Sequence, residues 1–71
     1  LSTTAHVVRT AQLMALARQM AAELTALYQG RVNAGGDPIG EAEEAQRAMY
    51  EGLLAAGMTP RDAQRTVGRF L

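Results

Sequence analysis

Apolar residues recur at Leu13, Ala17, Met20, Leu24 and Leu27, with gaps of four, three, four and three. That spacing predicts a helix with one apolar seam. Leu16 and Tyr28 widen the seam, while Met14, Ala21 and Val32 extend it along one side. Ser2, Thr3 or Thr4 can cap this first helix, and Gly30 is its expected stop, giving bounds of about 4–29. A helix of about 26 residues would be about 39 Å long. The next stretch, about 30–37, carries Gly35 and Gly36 and reads as a loop. Asp37 followed by Pro38 fits an N-cap with proline at the first helical position.

A second helix is expected over about 38–56. Its stripe is Ala42, Ala45, Met49, Leu53 and Ala56, with Ile39 at the start and Tyr50 and Leu54 on the flank. Ala42, Ala45, Ala56 and the neighbouring Gly52 are small, which lets another helix approach closely. Gly57 stands where a helix C-terminus favours glycine. Thr59, Pro60 and Asp62 form a variant capping box, and Met58 before the cap can pack onto Ala63. The third helix, about 60–70, is expected to bury Ala63, Val67, Phe70 and Leu71. With a turn at 57–59, the chain reads as one small all-α domain over 1–71. Its long first helix forms an antiparallel hairpin with the second, and the short third helix closes one end.

The chain is only 71 residues long and has no cysteine. Such a chain is marginal alone, and disulfides cannot staple it. The only histidine is His6, so no His/Cys cluster exists to hold a transition metal. The formal charge is zero, yet the charges are unevenly placed. Arg9, Arg18 and Arg31 face only Glu23 in residues 1–36. Asp37, Glu41, Glu43, Glu44 and Glu51 face only Arg47 in residues 37–51. Arg61, Arg65 and Arg69 then face only Asp62. This basic–acidic–basic order suits pairing with another helix or a second copy. All basic residues are arginine and alanine is abundant, a composition of GC-rich bacteria and their phages and plasmids. No apolar run approaches the length of a membrane span, so the expected location is cytoplasmic. An opening Leu1 in place of methionine points to a trimmed N-terminus, which also admits an oligomerisation module cut from a longer chain.

No set of residues forms a catalytic constellation. His6 stands alone, Glu41, Glu43 and Glu44 fan around a helix, and Ser2, Thr3 and Thr4 suit capping better than nucleophilic attack. The loop Gly35-Gly36-Asp37 lacks the lysine and glycine spacing of a phosphate-binding loop. No catalytic, metal or cofactor residue is expected. Leu53 to Val67, with its glycine beside Met58 between two short helices, resembles the first turn of ubiquitin-associated-type helical modules. The likeness covers about a fifth of the chain and transfers no function.

Two functions remain. The apolar stripe of the first helix spans about 160°, more than the roughly 100° a surface helix needs to cover a core. A protein-binding or dimer face of Met14, Leu16, Met20, Leu24, Leu27, Tyr28, Tyr50 and Leu54 follows. It suits a non-catalytic regulator or inhibitor, homodimeric, docking on a target protein and phage- or plasmid-encoded. The alternative is a helix-turn-helix-like DNA-binding regulator. There Arg61, Arg65 and Arg69 would reach phosphates or guanines, with Gln64 and Thr66 beside them. The glutamates of the second helix disfavour it.

Overall fold

A computed structural model describes residues 2–71, with Ser2 by its backbone alone. The described residues form three helices and no strand: α1 (Ser2–Asn33), α2 (Pro38–Ala55) and α3 (Pro60–Phe70). Near the first loop, Arg31 of α1 meets Glu41 and Glu44 of α2 at 3.5 and 3.4 Å. Midway, Met20 fills the space left by the missing side chain of Gly52, and farther on Arg9 reaches Gly57. The two helices therefore run antiparallel. α3 turns back beside them until Leu71 stands near Thr25, Tyr28, Ala42 and Ala45. The fold is the expected hairpin closed by a short third helix.

Both connections use the same device. After α1, the Gly35 N–H donates to the Val32 carbonyl and the Gly36 N–H to that of Arg31, at 3.0 and 2.9 Å. After α2, the Gly57 N–H donates to Leu54 and the Met58 N–H to Leu53, both at 3.0 Å. These paired bonds close a helix end when the residue after the cap turns left-handed. Gly35 and Gly57 do so, with φ of +99° and +103°. Each following helix then starts on a capped proline. Asp37 accepts from the N–H groups of Ile39 and Gly40, and the Thr59 hydroxyl from that of Asp62.

Gly30 does not stop α1, which runs four residues beyond the expected end at about 29 to Asn33. Its carbonyl accepts from the Ala34 N–H at 3.1 Å, so the residue is helix interior. Gly35, not Gly30, terminates the helix. At the other end α1 already includes Ser2. Thr3 and Thr4 therefore sit inside the first turn and do not cap it, and a cap by the Ser2 side chain lies outside the described residues. At 32 residues, α1 is about 48 Å long, close to the 51 Å length of the whole molecule.

The core is Ala17 and Ala21 from α1, Met49 and Leu53 from α2, and Ala63 and Val67 from α3. Met20, Leu24, Tyr50, Leu54, Met58 and Phe70 pack around it, each partly buried. Small residues on α1 thus meet large ones on α2. The seam of α1 follows Met14, Ala17, Ala21, Leu24 and Tyr28, about one residue round from the expected line. That rotation leaves Leu27 outside at 56% exposed and Leu16 on the rim. Ile39, expected in the stripe of α2, is 72% exposed. Leu71, expected to be buried, is classed as exposed. Thr66 is buried instead, its hydroxyl donating to the Asp62 carbonyl at 2.7 Å.

Candidate functional site

The face expected from sequence divides into three groups. Met20, Leu24, Tyr50 and Leu54 pack against the core of their own chain. Met14 and Tyr28 are half-buried, each lining a surface cavity. Only Leu16 and Leu27 stand outward. They lie eleven residues apart in sequence, about three helical turns, and so share one line on α1 with Met20 between them.

Arg61, Arg65 and Arg69 of α3 are all exposed. Arg69 lies 5.4 Å from the centre of the Phe70 ring, and Arg18 of α1 lies over the same ring at 5.9 Å. Each cation–ring contact contributes about 0.5–1 kcal/mol at an exposed site, and the Arg18 contact ties the end of α3 to α1. Thr66 cannot serve a nucleic-acid surface because it faces inward. Its hydroxyl bonds to the backbone and lies 3.5 Å from the Met58 sulfur. Of the two polar residues expected among the arginines, Gln64 alone is exposed.

The acidic residues of α2 are also partly engaged. Arg31 sits between Glu41 and Glu44, while Glu43 faces solvent. These exposed ion pairs contribute little individually, but they bridge the α1–α2 connection. Among the described residues, no group of three or more His, Cys, Asp and Glu side chains converges as a metal site would require. No described helix is long and apolar enough to cross a membrane.

One feature escaped the sequence. Between the N-terminal part of α1 and α3 lies an open groove of about 540 Å³. One wall is formed by His6, Arg9, Thr10, Leu13 and Met14, the other by the α2–α3 turn and by Asp62, Arg65, Thr66 and Arg69 of α3. Arg9, Arg65 and Arg69 stand around it against the single carboxylate of Asp62. None of these arginines forms an ion pair with a described residue. The spacing of Arg9 and Leu13, like that of Arg65 and Arg69, is i, i+4, so each pair shares a helix side. That regularity was visible. Only the return of α3 alongside α1 shows that the two sides face each other.

Comparison of the chain with protein-family models, with curated proteins and with solved structures finds no match in any of the three.

Proposed function

We propose that the chain is a non-catalytic protein-binding regulator or inhibitor that acts as a homodimer. Its surface carries this reading. The molecule exposes 5012 Å², whereas a self-sufficient folded monomer of 7.6 kDa exposes about 4,300 Å². The surplus of about 700 Å² goes with an elongated shape, 51 × 18 × 18 Å, that leaves helix sides uncovered by the chain itself. The core supports the same conclusion from inside. Among the described residues, Met49 and Leu53 are the only large side chains that are fully buried.

Leu16 and Leu27 are the proposed self-association line, because they are the large apolar residues of the expected face that α1 turns away from the core. Sedimentation equilibrium at micromolar concentration should give about twice the chain mass. Leu16→Glu with Leu27→Glu should return it to the chain mass without loss of helicity. A fully helical parent that is strictly monomeric, with a sharp melt independent of concentration, would refute the dimer.

A DNA-binding regulator is the second reading, favoured by the exposed line Arg61, Arg65 and Arg69. The inward turn of Thr66 and the glutamates of α2 weigh against it.

A further inference from the structure

We infer that the groove between the N-terminal part of α1 and α3 receives an acidic amphipathic helix of a partner protein. This inference rests on the reading of the chain as a protein-binding module and names its second surface. Two properties of the groove determine the occupant. Its rim carries Arg9, Arg65 and Arg69 against Asp62 alone, so it favours negative charge. Leu13, Met14 and Met58 also line it. They offer an apolar surface with methionine's adaptability. A helix with leucines along one side and glutamates beside them satisfies both, as in other helix-in-groove complexes. A nucleic-acid backbone supplies the charge but leaves the apolar lining of Leu13, Met14 and Met58 uncovered.

The chain's own segments fit less well. The N-terminal end of a second copy would bring its own Arg9 to a basic groove. The α2 helix of a second copy carries glutamates but turns Met49 and Leu53 into its own core, so it has no large apolar side to insert. The occupant is therefore a different protein whose helix combines acidic residues with an apolar stripe.

The test uses the full chain and a fluorescein-labelled amphipathic peptide of leucine, alanine and glutamate, with leucines at i, i+3, i+4 and i+7. Fluorescence anisotropy should show binding that weakens as salt rises. Arg9→Ala with Arg65→Ala should weaken it about tenfold or more, a loss of about 1.4 kcal/mol. Both residues are exposed, and circular dichroism checks that the variant keeps its helicity. A matched peptide with lysine in place of glutamate should not bind. Four results would overturn the inference: no binding, equal binding of both peptides, indifference to the arginine changes, or tighter binding of random duplex DNA with the same arginine dependence. Sedimentation of the double variant separates the two proposals. If it remains dimeric while peptide binding is lost, the groove is a separate partner site. If the dimer dissociates, the groove is the self-association surface and the inference fails.

Discussion

The two ends of α1 are held in different ways. From Leu13 onward, side chains on one side of the helix are buried or half-buried at regular intervals through Val32, against α2 and α3. From Thr3 to Gln12, every side chain is exposed. Val8 at 50% and Val7 at 59% stand in water there. The first region is fixed by packing. The second has no such support and continues as helix through local hydrogen bonds and its continuity with the packed part. A helix long enough to leave one end free adds exposed surface at the expense of compactness.

The largest expected effects fall on the packed region. Leu53 is fully buried, so Leu53→Ala should cost about 2–5 kcal/mol through lost burial and the cavity left behind. Val8→Ala, in the free region, should change stability by less than about 0.5 kcal/mol. Urea denaturation followed by circular dichroism measures both. A large loss for Val8→Ala would mean that the exposed end is packed in solution, and the contrast between the two ends would disappear.

The next effect lies at the border between them, where Arg9 reaches Gly57. Gly57→Ala should cost about 1–2 kcal/mol, because an alanine would have to adopt φ near +103°. The cost arises in the backbone. The Arg9 guanidinium that a new side chain would meet is the end of a flexible exposed chain and can move. Arg9→Ala alone should therefore stay within about 0.5 kcal/mol of the parent. Thr59→Ala should cost about 0.5–2 kcal/mol by removing the acceptor for the Asp62 N–H. Thermal melts of the three variants rank them. Were Arg9→Ala as harmful as Gly57→Ala, the free end of α1 would be anchored by that arginine.

What the sequence disclosed follows the same division. The start of α3 was legible because Thr59, Pro60 and Asp62 carry their structural instructions locally, and so was the Asp37–Pro38 start of α2. The all-α hairpin followed from spacing and glycine position. The seam of α1 was harder to place, because alanine is abundant on its several sides and burial does not track side-chain size. Ala17 and Ala21 are core while Leu27 is not, since large Met49 and Leu53 need small neighbours opposite. Of the expected apolar face, Leu16 and Leu27 stand outward, whereas Met20, Leu24, Tyr50 and Leu54 pack against the core. The groove was not, because its walls lie about fifty residues apart in sequence and meet only when α3 folds back.

The last effect tests the end of the packed region and has the opposite sign. Gly30 lies inside α1, and a methyl group added there would meet nothing within 4 Å. Gly30→Ala should therefore stabilise the protein by about 0.5–1 kcal/mol, by removing the cost of glycine in a helix interior. Gly35, five residues on, is equally open but has φ of +99°, so Gly35→Ala should destabilise by about 1–2 kcal/mol. Gly36→Ala should also destabilise, because its new carbon would lie 2.8 Å from the Arg31 carbonyl oxygen. Urea denaturation of the three variants reads the sign directly. If alanine at Gly30 destabilised the chain while alanine at Gly35 did not, α1 would end at Gly30 in solution. Arg31 would then leave the helix, and its bridge to Glu41 and Glu44 would no longer be positioned by α1.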